Sequence, residues 1–212
     1  MTNLAVRTDN TALINEFAGG TSSDVSMMIG IGLVKDSEGV FFQYLGDEQQ
    51  PSALMLPSGK PLTRMANVRL GGIDIAEDVG EFKSTKLNLF LESSQGRTVM
   101  LTSGLETIWS QCVITSLMGL MDAYSLDEAF TLDTWKGNSK MRPCFAAVRV
   151  SGQKISDQAM YDQLRELRAD GNKAAVKQTM LDAVAMLKQQ VTGIEAVVTE
   201  VTESTDKAED LF

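Results

Sequence analysis

At 212 residues, 43% hydrophobic and 22% charged, the chain is long enough for one domain with an appendage or for two small domains. No apolar run is long enough to span a bilayer, and the N-terminus lacks a basic-then-apolar signal. There is no histidine, which removes the commonest general base, the usual serine and cysteine triads and the usual zinc ligand sets.

Residues 1–24 read as a polar arm, Gly-rich toward its end, in which Leu13, Ile14 and Phe17 offer one helical turn face. Met27–Val34 reads as a strand bent or weakened by Gly30 and Gly32. A turn at Asp36–Gly39 leads into a second strand, Val40–Leu45, so the two form a hairpin. Residues 46–80, with Pro51, Pro57, Pro61, Gly71 and Gly72, read as a long loop with short strands inside it. Lys86–Glu92 alternates, with Leu87, Leu89 and Leu91 on one face and Asn88, Phe90 and Glu92 on the other. Ser93–Gly96 turns the chain into a strand at Arg97–Thr102.

Ser103-Gly104-Leu105-Glu106 has the form of a capping box, and a helix follows to about Met121. Its stripe is Leu105, Ile108, Trp109, Cys112, Leu117, Leu120 and Met121. Phe130–Lys136 and Arg142–Val150 read as two further strands joined through Gly137-Asn138-Ser139. Beyond Ser156 the period becomes helical. Met160, Leu164 and Leu167 share a face, Gly171-Asn172 interrupts with Asn172 as cap, and Val176, Met180, Val184, Leu187 and Val191 continue. This string predicts a mainly β, α+β fold. It fits a five-stranded Greek-key barrel with a helix between its third and fourth strands, plus a C-terminal helical extension. A generic α+β sandwich fits as well.

Sites of chemistry are scarce. Ser58-Gly59-Lys60 resembles the end of a phosphate loop, but Leu54 stands where its first glycine belongs. Asp74, Glu77, Asp78 and Glu81 lack calcium-loop spacing and read as a solvated loop. Cys112 and Cys144 read as buried free thiols in a reducing cytoplasm. No metal, cofactor or catalytic set is implied.

Charge and aromatics say more. Six acids and one lysine lie from Glu195 onward, so that segment carries −5 and the rest of the chain −4. Two stretches contain no acid: Gln49–Ile73 with Lys60, Arg64 and Arg69, and Thr134–Ile155 with Lys136, Lys140, Arg142, Arg149 and Lys154. Segregation of this kind makes a basic groove on an acidic protein. By strand alternation Phe90, Trp135 and Phe145 point away from the apolar faces, and Tyr44 shares its face with Phe42. Outward rings interleaved with Lys83, Lys86, Lys136, Lys140, Arg142 and Arg149 suit single-stranded nucleic acid: bases stack and cations follow the phosphates. The competing expectation is a second layer, such as the C-terminal helices, covering these rings. At the other end Asp206, Glu209, Asp210, Leu211 and Phe212 set acids beside an apolar pair, suited to a basic-rimmed apolar pocket on a partner. The alternative is a frayed terminus.

The Leu87–Thr102 hairpin, the Ser103–Met121 helix, the two strands after it and the acidic segment ending in Leu211-Phe212 together resemble a bacteriophage single-stranded DNA-binding protein. The resemblance implies a five-stranded barrel of the OB-fold kind that binds single strands during replication, recombination or repair. It also implies an acidic C-terminal tip, here Asp206, Glu209, Asp210, Leu211 and Phe212, that recruits replication or repair proteins. The chain departs from the bacterial housekeeping members, which carry a Gly/Gln/Pro-rich linker where this chain has amphipathic helix at 157–192. That favours a phage-like monomer or dimer in the host cytoplasm. The expected organisation is an arm at 1–24, a nucleic-acid-binding domain at 25–155, a helical extension at 156–194 and a flexible acidic tail at 195–212. Two other classes compete. One is a structural or adaptor protein working through the C-terminal helices, and the other is a carboxylate, metal-dependent nuclease.

Overall fold

A computed structural model describes residues 27–35, 37–45, 50–80, 82–139 and 142–206, with the backbone alone for Leu45 and 192–206. The expectations placed on the arm at 1–24, on Lys140 and on Glu209 to Phe212 lie outside the described residues. The strands are β1 (Met27–Ile31), β2 (Phe41–Leu45), β3 (Gln50–Ala53), β4 (Arg64–Val79), β5 (Ser84–Ser93), β6 (Thr98–Gly104), β7 (Phe130–Lys136), β8 (Cys144–Val150) and β9 (Gln153–Ile155). Helix α1 (Ile108–Ala123) lies between β6 and β7, and α2 (Gln158–Ala169) and α3 (Lys173–Asp206) follow β9. Among the described residues no helix is long and apolar enough to cross a membrane.

The strands form one sheet in the order β3-β2-β1-β6-β5-β4-β7-β8-β9. Only the β1–β6 neighbours run parallel within it. This overturns the five-stranded closed barrel. Closing the group β6-β5-β4-β7-β8 requires its two outer strands to pair, but β6 is already paired with β1 and β8 with β9. The sheet is therefore open, with β3 and β9 at its edges, while the α+β composition stands. The segment after β3 nevertheless draws the two halves toward each other. Leu54 N–H donates to Phe41 O at 2.9 Å, Leu62 N–H to Leu54 O at 2.8 Å, and Thr134 N–H to Thr63 O at 2.8 Å.

One face of the sheet makes the core. Leu87, Leu89 and Leu91 of β5 meet Ile75, Ile73 and Leu70 of β4 in register, and Leu89 and Leu91 meet Leu101 and Val99 of β6. Helix α1 packs on this core and is buried on nearly every side, because α2 and α3 cover its far flank. Buried hydroxyls on a helix so enclosed find partners on its own backbone. Thr115 Oγ1 donates to Gln111 O at 2.9 Å and Ser116 Oγ to Cys112 O at 2.7 Å. Gly119 permits the closest approach: a Cβ there would lie 2.6 Å from Ser156 C and Asp157 N. Asp157 N–H donates to Thr115 O at 2.7 Å, and its own carboxylate caps α2 by accepting from Met160 N–H at 3.0 Å. Cys112 is buried and Cys144 half-buried, both are free thiols, and burial pushes both upward in pKa.

Two further differences from expectation concern boundaries. Thr107, not Ser103, caps α1, accepting from Ser110 N–H at 3.2 Å. Ser103 belongs to β6 and is hydrogen-bonded to the Thr107 hydroxyl at 3.1 Å. The stretch read as a loop at 46–80 contains β4, 16 residues long. Its alternation is broken three times, by register shifts at Leu70/Gly72 and at Ala76/Val79 against β5 and at Met65/Val68 against β7. The C-terminal helices match expectation in face and cap. Asn172 Oδ1 accepts from Ala175 N–H at 3.1 Å, and Val176, Met180, Val184, Leu187 and Val191 are buried. The backbone of α3 stays helical to Asp206, through the start of the expected tail.

Candidate nucleic-acid interface

The face of the sheet opposite the core carries the predicted rings. Its geometry is set by cross-strand pairing, which places one side chain from each strand in a row. One row runs through Gly72, Phe90, Met100 and Met28 on β4, β5, β6 and β1. The Phe90 ring lies beside Gly72, where a Cβ would stand 3.2 Å from it. In the adjoining row Phe42 lies over Gly30, whose Cβ would sit 2.4 Å from the ring. Gly30 thus seats an aromatic ring. Tyr44 meets Phe42 edge-on with centroids 5.3 Å apart and is 56% exposed.

The second ring pair lies on the β7–β8 hairpin. Trp135 and Phe145 are directly opposed in register and stacked, with centroids 5.9 Å apart and planes at 18°. Trp135 is 43% exposed, Phe145 half-buried. The exposed faces of Tyr44 and Trp135 show that the C-terminal helices do not cover these two rings. Phe90 belongs to the first patch and Trp135 to the second. Eight positions of β4 separate Gly72 from Arg64, roughly 25 Å of strand.

Most basic residues near Trp135 already hold a partner. Arg64 Nε donates to Asp133 Oδ1 at 2.6 Å and Arg149 Nε to Asp133 Oδ2 at 2.8 Å, so two guanidiniums converge on one carboxylate. Arg142 Nη2 lies 3.0 Å from both carboxylate oxygens of Glu38. That hydrogen bond, reinforced by the Arg142 charge, holds the Glu38 carboxyl below its ordinary pKa. Lys136 Nζ donates to Ser37 O. The last two contacts tie the β1–β2 loop to the β7–β8 turn. A cleft of about 400 Å³ opens there, lined by Glu38, Lys136, Gly137, Asn138, Ser139 and Arg142. It sits at the junction of the hairpin carrying Phe42 and Tyr44 with the hairpin carrying Trp135 and Phe145.

The remaining predicted cations are dispersed. Lys60 is exposed in the 56–60 turn, Arg69 is exposed opposite Glu92, Lys83 is exposed at the β4–β5 turn, and Lys86 is half-buried opposite Ala76. Asp74 of the loose acidic group pairs with Lys188 of α3 at 2.8 Å. Among the described residues no cluster of three or more acids or cysteines could hold a metal ion. Sequence reading missed Met28, 54% exposed, and Phe82, 93% exposed. It also missed Glu38 as a partner for the basic turn. Phe82 carried a usable signal, an aromatic beside Gly80 in a turn, whereas the Glu38–Arg142 pair joins residues 104 apart in sequence and left none. Compared with family models, with curated proteins and with solved structures, the chain has no match.

Proposed function

We propose that this protein binds single-stranded DNA without strong sequence preference and without catalysis, protecting it during replication, recombination or repair. The acidic segment Asp206, Glu209, Asp210, Leu211 and Phe212 recruits the enzymes that act on that DNA. The observation that carries the reading is the pair of exposed ring sites, Tyr44–Phe42 and Trp135–Phe145, on two hairpins whose loops, at Glu38 and at residues 136–142, line a cleft with Lys136 and Arg142. Rings with an open face accept any base by stacking, and cations on the same hairpins match the phosphate backbone. Duplex DNA keeps its bases stacked inside and gains nothing from such rings.

Titration with a single-stranded oligonucleotide and its duplex, at about 50 mM and about 200 mM salt, tests this. Preference for the single strand, weakening steeply with salt through counterion release, is the expected result. Equal or tighter binding to the duplex overturns it. Binding to neither leaves the adaptor role of the C-terminal helices as the surviving reading. Deleting residues 207–212 should leave the fold and single-strand binding in place while abolishing partner capture.

A further inference from the structure

The cleft between the β1–β2 loop and the β7–β8 turn is more than a gap in the surface. Its walls supply a guanidinium, an ammonium, the Asn138 amide and the Ser139 hydroxyl, and the one acid among its lining residues is Glu38. Glu38 enters from the opposite hairpin and places both carboxylate oxygens 3.0 Å from Arg142 Nη2. Two oxygens of a phosphodiester present the same geometry and the same single negative charge to a guanidinium. The second anchored acid of this face behaves differently. Asp133 is 16% exposed and grips two arginines, whereas the Glu38 side chain is 73% exposed and Arg142 is 50% exposed. An exposed pair of this kind is weak and screened by salt, so a denser anion can displace it.

We propose that this cleft is a phosphate subsite for the single strand and that Glu38 occupies it in the free protein. A backbone phosphate replaces the Glu38 carboxylate on Arg142, and the neighbouring base stacks on the open face of Trp135. Glu38 is then an internal competitor, and Asp133 a fixed brace that keeps Arg64 and Arg149 in place. The inference rests on the single-strand reading above and adds to it the position of one phosphate and the group that guards it.

The test is a double-mutant cycle read by fluorescence anisotropy of a labelled oligothymidine, using the full chain. Glu38→Gln should tighten binding about two- to fivefold at about 50 mM salt, and the gain should shrink at about 200 mM. Arg142→Ala should weaken binding. In the Arg142→Ala background, Glu38→Gln should no longer tighten it, because the competed group is gone. Unfolding curves check that each variant keeps its fold, which the exposure of both side chains favours. Equal affinities for wild type and Glu38→Gln overturn the subsite, as does a gain that persists without Arg142. The single-strand reading survives those results if Trp135→Ala still weakens binding. If the wild type binds no oligothymidine at all, that reading falls and the subsite with it.

Discussion

The two tryptophans of this chain occupy opposite regimes. Trp109 lies in the first turn of α1, buried in the core at 1% exposure. Trp135 lies on the outer face of β7 at 43% exposure, stacked on one side against Phe145. The same residue type therefore does different physical work in the two places. At Trp109 the ring fills volume, and even its Nε1 donor has no hydrogen-bond partner among the described residues. At Trp135 the ring holds apolar surface in water, which costs stability unless a ligand covers it.

The sharpest break of this comparison is Trp109→Ala. It should remove about 3–5 kcal/mol of stability, measured by urea unfolding. Trp109→Phe should cost much less, since it keeps most of the ring and deletes the unpaired donor. Equal losses for the two variants would mean that the indole contributes more than volume. Next in size is Gly119→Ala, expected to cost about 1–3 kcal/mol because the new methyl meets backbone atoms that cannot rotate away. If its melting temperature equals that of wild type, the packing of α1 against residues 156–157 is looser than described.

On the other face the expectation reverses. Trp135→Ala should leave stability nearly unchanged and lower single-strand affinity by about 1–3 kcal/mol. Phe90→Ala should move both, since that ring is half-buried beside Gly72. An alanine variant at Trp135 that unfolds readily would erase the distinction between the two tryptophans.

The smallest effect concerns the junction of α3 with β4. The hydrogen bond from Lys188, aided by one from the Ile75 amide, holds the Asp74 carboxyl below its ordinary pKa. The unfolded carboxyl takes up its proton at higher pH than the folded one. The pair's contribution is therefore complete above the unfolded value, about 4, and is lost as pH falls through the folded value. Because Asp74 is 52% exposed, that contribution is at most about 1 kcal/mol. Asp74→Asn should lower stability slightly at neutral pH and not at all in strong acid. A difference that persists at acid pH would assign the effect to something other than the carboxylate.

Local pattern made much of this legible. The Leu87–Leu91 alternation, the Gly96 turn and the Asn172 cap each depend on neighbours in sequence, and each appears where the sequence places it. β4 did not, because its bulges interrupt the two-residue period and its glycines imitate a loop. Glycine at 71 and 72 is there to make room for Glu92 and Phe90 from β5, a reason invisible without the partner strand. The start of α1 was misplaced because Ser103 and Glu106 have the spacing of a cap, while Thr107, one step on, makes the bond. The closed barrel failed at its edges, since nothing local says that β1 will take the free side of β6. For the candidate interface, alternation predicted which rings face outward but could not find the acids that pair with the nearby cations. Stretches free of acids in sequence receive Glu38 from a different hairpin in space and share Asp133 at their border.

The parallel pairing of β1 with β6 also orders events in time. β4, β5 and β6 are joined by short turns and can zip together as a meander once the first hairpin forms. Met27 cannot reach Val99 until that meander exists to receive it, and the closure spans about 70 residues. β1 should therefore join late, and its amides should be among the first in the sheet to exchange with solvent. The β1–β2 hairpin carries Phe42, Tyr44 and the Glu38 loop, so these side chains should be among the last parts of the sheet to be assembled.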